Sequence, residues 1–396
     1  MRHLLALMLV PFLAVTALTS TGCAGRGKKK QVEPPAAKNY NRQLPPGEFA
    51  LREVDITELP PITLSPSERV GMKQAVQRSR DYFVKPSSVK GFPVSGITRE
   101  QVVASLQAFS GLLDQNLDDA ALDAQIKSRF RAFISVGCDD QGTVLFTGYY
   151  TPIFDGRLSG DSEYRFPLYR RPATLVQTTS LDPAFQLRSD GSKVPFPDRA
   201  SIDGTGILRG TELVWLKSEY ERYLVHVQGS AKIRLPDGRL MEIGTNGSSG
   251  HDYQSIRDAL VTDGAIPADQ LNFFTMRQFF ATNPDKVATY VNKNPRYIFF
   301  IETRGGPYGS LGAKVTPNIT IATDKSIFPR GSVTFVTTTL SGVNSSYAGL
   351  RVDQDTGGAI RAPGRTDLYM GEGDENENRA GAQFAEGNLY YLIVRE

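Results

Sequence analysis

From about Thr143 to its end the chain runs in short stretches of alternating apolar and polar residues, each closed by Gly or Pro. A period of two buries one face of a strand, and turn residues at such short intervals leave little room for long helices. The expected body is therefore mainly β with peripheral helices, interrupted by helical spacing near Tyr253–Leu260 and Met276–Tyr290. Upstream, Thr98 and Gln101 form a capping-box pattern ahead of Val102, Leu106, Phe109 and Leu113. A second stripe, Leu122, Ile126, Phe130 and Phe133, follows, so two or three helices are expected there.

The N-terminus has a different character. Met1-Arg2-His3 is positive, Leu4 to Leu18 is almost wholly apolar, and Ser20-Thr21-Gly22 precedes Cys23. That reads as a secretory signal, too short for a membrane span. The small residues before Cys23 resemble a bacterial lipoprotein signal, although Ser20 stands where Leu is usual. On this reading Cys23 carries the lipid, and Ala24, which is not Asp, points to the periplasmic face of the outer membrane. Residues 24–47, with Lys28-Lys29-Lys30, Pro34-Pro35 and Pro45-Pro46, read as a flexible tether. At 396 residues and 40% apolar, the chain is long enough for two cores, and a net charge of +3 gives no reason to expect a nucleic-acid partner. With Cys23 lipidated, Cys138 is left without a disulfide partner, and Asp139-Asp140 beside it disfavours a reactive thiolate. The mature chain's imidazoles, His226 and His251, lack zinc-helix spacing, and no Gly-x-Ser-x-Gly elbow occurs. Neither a metal nor another cofactor is expected.

Acid–base chemistry is most legible in residues 355–373. Asp355 and Asp367 bracket a loop rich in Gly and Pro that can bring the two carboxyls together. Ionising one carboxyl of such a pair disfavours ionising the other, which leaves a proton for general-acid work near neutral pH. Gly357 and Gly358 are expected to supply positive φ beside a ligand. An Asx-turn leading into a hairpin explains Asp-Thr-Gly-Gly equally well. Tyr149 and Tyr150 lie between Gly148 and Pro152, so alternation sends one ring to the core and offers the other to a sugar, unless both are core. Strand alternation places His226, Gln228 and Ser230 on one polar face, either ligand-binding or solvated, with Gly229 between the last two. His251 is either oriented by Asp252 or simply precedes a helix.

In order along the chain these stretches resemble the membrane-bound lytic murein transglycosylase A family. The matching residues are Thr147-Gly-Tyr-Tyr-Thr-Pro152, Val227-Gln-Gly-Ser230 and Gly250-His251 with Tyr253, Ser255 and Ile256. They continue through Asn294-Pro-x-Tyr297-x-Phe-Phe300 and then Pro317, Ala322, Asp324, Pro329 and Gly331. Asp355-Thr-Gly-Gly-Ala-Ile360 and Asp367-Leu-Tyr369 complete the series. Several motifs in register over roughly residues 140–395 are more specific than any one of them.

The resemblance implies a six-stranded double-psi β-barrel with its C-terminal domain of the 3D type and a smaller inserted β domain, with peptidoglycan glycan strands in the groove between. It divides the chain into a signal (1–23), tether (24–47), helical region (48–140), a part containing the insert (141–306) and the C-terminal part of the barrel (307–396). It makes Asp367 catalytic with Asp355 in support, and gives Tyr149, Tyr150, Gln228, Gly229, Ser230 and His251 to the substrate. In that scheme Asp367 protonates the glycosidic oxygen between N-acetylmuramic acid and N-acetylglucosamine, then takes the proton of the muramyl C6 hydroxyl as it closes on the anomeric carbon. A substrate carrying its own nucleophile needs one acid–base group where hydrolysis needs two carboxylates. Arg361 and Arg365 would oppose protonation of Asp367, while Leu368 and Asp355 would favour it. Cell-wall synthesis or division proteins are further candidate partners. The chain departs from the family pattern at Gly244–Gly247 and at Ser248-Ser249, where Lys-Asn is typical. Two other readings are a non-catalytic peptidoglycan-binding lipoprotein and, from Asp355-Thr-Gly, an aspartic protease built as a homodimer.

Overall fold

The structure, a computed structural model, describes residues 38–340 and 345–396. The signal residues and Cys23 lie outside the described residues, as does most of the tether. Its last ten residues are fixed to the body: Tyr40 donates to Glu386 at 2.7 Å and Gln43 Nε2 to the Arg361 carbonyl at 2.6 Å.

Two strands, Leu51–Val54 (β1) and Phe130–Ser135 (β2), enclose three helices, Pro66–Val84 (α1), Arg99–Asp114 (α2) and Asp119–Arg129 (α3). Both reciprocal bonds of the Thr98–Gln101 capping box are present, and α2 buries Val102, Leu106, Phe109 and Leu113 as their spacing predicts. Ser65 and Glu68 cap α1 in the same way, with Pro66 in its first turn. The second stripe is helical only through Ile126. Phe130 and Phe133 instead enter β2, which pairs with β1 on one side and with the last strand of the chain on the other. Ladder bonds on both sides outweigh the helical spacing of those two rings.

The chain then forms Val144–Thr151 (β3) and leaves for the insert. Within it lie Ile153–Arg157 (β4), Phe166–Tyr169 (β5), a small sheet of Leu175–Val176 (β6), Phe185–Leu187 (β7) and Lys193–Pro195 (β8), and then Arg199–Thr205 (α4) and Glu212–Leu216 (β9). Glu219–Gln228 (α5), Ser230–Arg234 (β10), Leu240–Ser248 (β11), Ile256–Thr262 (α6), Phe273–Thr282 (α7), Val287–Val291 (α8) and Ile298–Thr303 (β12) complete it. Asn283-Pro284 divides what the sequence offered as one helix between Met276 and Tyr290. The return brings Thr320–Ala322 (β13), Val333–Leu340 (β14), Ser345–Asp355 (β15), Arg365–Glu372 (β16), Asp374–Ala382 (α9) and Phe384–Val394 (β17).

β17, β14, β15, β13, β16 and β3 pair in that order, and β3 pairs again with β17, closing a six-stranded barrel. Closure leaves no free edge among the six. The β3–β16 and β13–β15 pairs are parallel and the other four antiparallel. Phe146, Ile321, Val333, Phe335, Leu368 and Leu389 fill its core. The insert has its own core, including Phe154, Val214, Leu224, Ile233, Ile243 and Phe300, under the sheet β12-β11-β10-β4-β9-β5. A bridge between Arg170 and Phe300 brings the two ends of that sheet together. Lys232 of β10 joins insert to barrel through Glu372 at 2.7 Å.

Of the polar stripe expected on a strand, His226 and Gln228 end a helix, and Ser230 begins the strand β10. Ser218 caps α5, which runs through His226 and Gln228 and stops where Gly229 takes φ +74°. Gly there permits the left-handed turn into β10.

Lys325 and Asp353 form an ion pair in the barrel interior, 8% and 0% exposed, with Thr323 and Tyr391 also bonding the carboxylate at 2.8 Å. Removing one member strands a buried charge. Lys325→Met is therefore expected to lower the unfolding free energy in denaturant titration by about 3–5 kcal/mol, while adding Asp353→Leu recovers part of the loss. A double variant no more stable than the single would refute the coupling.

Candidate active site

Ala322 sets the geometry of the site. On one side of β13 it pairs with Asp355 of β15, and on the other with Asp367 of β16. The two aspartates therefore flank one small residue, with two strand spacings, roughly 10 Å, between their Cα atoms. Both face a cleft of about 1230 Å³ whose walls come from the barrel and the insert.

Asp355 is held by three donors. Its Oδ1 accepts the Ser310 and Thr356 N–H groups, each at 2.8 Å, and its Oδ2 accepts the Tyr149 hydroxyl at 2.9 Å. Gly309 makes the approach possible, since a Cβ there would lie 2.7 Å from the Gln354 carbonyl and 3.1 Å from the Asp355 carboxyl carbon. Burial raises the Asp355 carboxyl above the ordinary carboxylate range, and those three hydrogen bonds oppose it. Asp367 has less support for its charge: the Thr147 hydroxyl, opposite it on β3, hydrogen-bonds Oδ1. Burial pushes this carboxyl up to about 6; Arg365 pulls it down and Asp355 pushes it further up. The opposition between the arginine and the apolar surroundings is thus won by burial.

The other expected site residues separate clearly. Tyr149 lines the cleft, packs on Tyr369 with ring centroids 5.1 Å apart, and orients Asp355. Tyr150 points the other way, 1% exposed, into the core near Phe273. Gln228, Gly229 and Ser230 line the cleft, and Gln228 Oε1 also accepts the Tyr150 N–H at 3.1 Å. His226 contributes to the cleft lining but is buried, its Nδ1 accepting the Ile298 N–H at 3.0 Å. His251 is outside the cleft lining, its Nε2 on the Phe196 carbonyl at 2.9 Å. Neither Gly357 nor Gly358 has positive φ. Gly358 instead sits close against Arg296, where a Cβ would stand 3.1 Å from its Nε and crowd the guanidinium. Ser248 and Ser249 are buried, bonding the Ser180 carbonyl at 2.6 Å and the Tyr297 N–H at 2.9 Å, so neither hydroxyl is presented to the cleft. Cys138 is buried and free. Among the described residues no group of His, Cys, Asp and Glu is arranged to hold a metal.

Residues 145–301 match the family model described as the MltA specific insert domain, and residues 319–393 match that of the 3D domain. The two ranges are the insert with its leading strand β3 and the remainder of the barrel. Membrane-bound lytic murein transglycosylase A of Escherichia coli K12 is 28% identical over 264 residues, which is 65% of this chain and 67% of the relative. The chain belongs to the membrane-bound lytic murein transglycosylase A family. A membrane-bound lytic murein transglycosylase from Agrobacterium tumefaciens superposes with a TM-score of 0.73 at 26% identity, covering 88% of this chain and 98% of that one. The fold is also that of E. coli MltA crystallised with bound chitohexaose, with a TM-score of 0.69, 23% identity and coverage of 91% and 100%.

The two family domains thus meet at Asp367, and its proton is the feature to measure. Carboxyl carbon NMR should give a midpoint at about 6, moving down in Asp355→Asn and up in Arg365→Ala; a midpoint in the ordinary range near 4 would contradict this environment. The folded value exceeds the unfolded one, so the contribution of Asp367 to stability is full below about 4 and is lost as pH rises through about 6.

Proposed function

We propose that this chain is a lytic transglycosylase that cleaves peptidoglycan between N-acetylmuramic acid and N-acetylglucosamine and leaves a 1,6-anhydromuramoyl end, with Asp367 as the single acid and base. The observation that carries this reading is the asymmetry of the two carboxyls. Asp367 faces the cleft with its carboxyl raised to about 6, as a general acid requires. Both oxygens of Asp355 are engaged by Tyr149, Ser310 and Thr356, which suits a fixed electrostatic partner better than a nucleophile.

In the proposed cycle the Asp367 proton goes to the glycosidic oxygen as its bond to the muramyl anomeric carbon breaks. The Asp367 carboxylate then takes the proton of the C6 hydroxyl while O6 bonds that carbon. The enzyme regains its proton and no water is consumed. Asp355 acts through charge, keeping the proton on Asp367 at the start of the cycle.

Asp367→Asn and Asp367→Ala should each lower turnover on purified peptidoglycan at least about 1000-fold, because neither side chain can give and then take a proton. Glycan binding should persist. Asp355→Asn should retain part of the activity, with the alkaline limb of its rate profile shifted to lower pH as Asp367 loses its proton more readily. A dead Asp355→Asn beside an active Asp367→Asn would reverse the roles.

The proposal extends to location. No helix among the described residues is long and apolar enough to cross a membrane. The residues around Cys23 supply a different anchor, a lipid on that cysteine at the periplasmic face of the outer membrane. Cys23→Ser should then move the protein from the membrane fraction to the soluble periplasm with its specific activity kept, whereas an unmodified Cys23 in the mature protein would contradict the anchor.

A further inference from the structure

Two arginines of the cleft wall, one of them two residues from Asp367, join no ion pair among the described residues. Arg361 and Arg365 both line the cleft, and among the described residues neither guanidinium donates a hydrogen bond or joins an ion pair. The Arg365 Nε is buried without a partner. Their backbone, by contrast, is fixed. The Arg361 carbonyl accepts from Gln43, the Pro363 carbonyl from the Ser135 hydroxyl at 2.8 Å and the Gly364 carbonyl from the Leu145 N–H at 2.9 Å. Arg365, Asp367 and Tyr369 alternate on the cleft face of β16, while Thr366 and Leu368 are buried on the other.

The nearby carboxyls are not in ion-pair contact with either arginine: Asp355 is held by Tyr149, Ser310 and Thr356, and burial keeps a proton on Asp367 up to about pH 6 although Arg365 opposes it. The insert adds more positive charge. Arg296 bonds the His251 and Ser180 carbonyls, and Arg257 bonds the Leu271 carbonyl at 3.0 Å. Partly desolvated guanidinium groups without acceptors are costly, and their planar forks match a carboxylate bidentately.

We propose that Arg361 and Arg365 form an anion subsite beside Asp367 that takes a carboxylate on the lactyl substituent of the muramyl residue. That carboxylate is either the lactyl group's own, in peptide-free glycan, or one on the attached peptide. The inference rests on reading the cleft as a murein-cleaving site. It adds that the enzyme senses the acidic substituent that distinguishes muramic acid from N-acetylglucosamine, and that the sensing group adjoins the catalytic acid.

The test measures binding by the full chain carrying Asp367→Asn, so that ligand is not consumed. The probes are peptide-bearing glycan strands, the same strands after amidase removal of the peptides, and the peptide-free strands after carbodiimide amidation of their carboxylates. Adding Arg361→Ala and Arg365→Ala should weaken binding of a carboxylate-bearing probe at least about tenfold and leave the amidated probe unchanged. A loss confined to the peptide-free strands identifies the lactyl carboxylate, a loss confined to the peptide-bearing strands identifies a carboxylate of the peptide, and losses on both mean that the subsite accepts either. Equal effects on acidic and amidated strands, or no effect on either, overturn the proposal. Arg365→Lys should restore less than half of the lost binding free energy, because an ammonium cannot reproduce the fork. Should the double variant fold poorly by thermal melting, Arg361→Gln alone is read against the same three probes. These are binding measurements, so a failure here is separable from a failure of the lyase reading, which is decided by turnover with Arg361 and Arg365 intact.

Discussion

Thr147 and Asp367 stand side by side because β3 and β16 run parallel in the barrel, although the whole insert separates them in sequence. β3 also pairs with β17, so the strand that closes the barrel is the one that brings Thr147 to Asp367 and Tyr149 to Asp355. Because the insert leaves from the end of β3 and returns before β13, its position is tied to the same strand. Lys232–Glu372 and Gln228 to the Tyr150 backbone reinforce that tie from the insert side. The cleft is thus a consequence of barrel closure around an excursion of the chain.

Within that frame, the chemistry depends on making two similar carboxyls unlike. Asp355 receives hydrogen bonds from the Ser310 loop, from its own turn and from β3, whereas Asp367 receives one hydroxyl and burial. Hydrogen-bond donors favour a carboxylate and desolvation favours the acid, so proton occupancy divides between the two according to their surroundings. Arg365 works against the proton on Asp367 in the free enzyme. If a substrate carboxylate occupies Arg365, that opposition weakens on binding, which would couple recognition of the muramyl substituent to the protonation needed for the first step.

Local signals in the sequence translated well where local bonds decide the structure. The Thr98–Gln101 box and the stripe from Val102 to Leu113 form α2 as written. The mainly β body and its closed six-stranded barrel were also legible, though closure came from the family resemblance, since alternation gives no partner for β3. Failures fell where distant contacts decide. Phe130 and Phe133 kept helical spacing yet joined β2 because β1 and β17 offered ladders. His226 and Gln228 fitted a strand's alternation with Ser230, but Ser218 and Gly229 cap a helix that holds the first two, and only Ser230 enters a strand. Of the candidate site residues, Asp355, Asp367, Tyr149, Gln228, Gly229 and Ser230 meet at the cleft, while Tyr150 and His251 do not. Ser310 and Thr147 were not singled out for the site, because hydrogen bonds to Asp355 and Asp367 across the fold leave no local pattern.

The central claim is that a protonated Asp367 serves a nucleophile belonging to the substrate, so the oxygen that ends on the anomeric carbon comes from the sugar. Digestion of peptidoglycan in water enriched in oxygen-18, with mass analysis of the new muramyl ends, tests this directly. The account predicts ends that lack the mass of one water and carry no label. Labelled reducing ends formed by the enzyme would show that water attacks, and would contradict it.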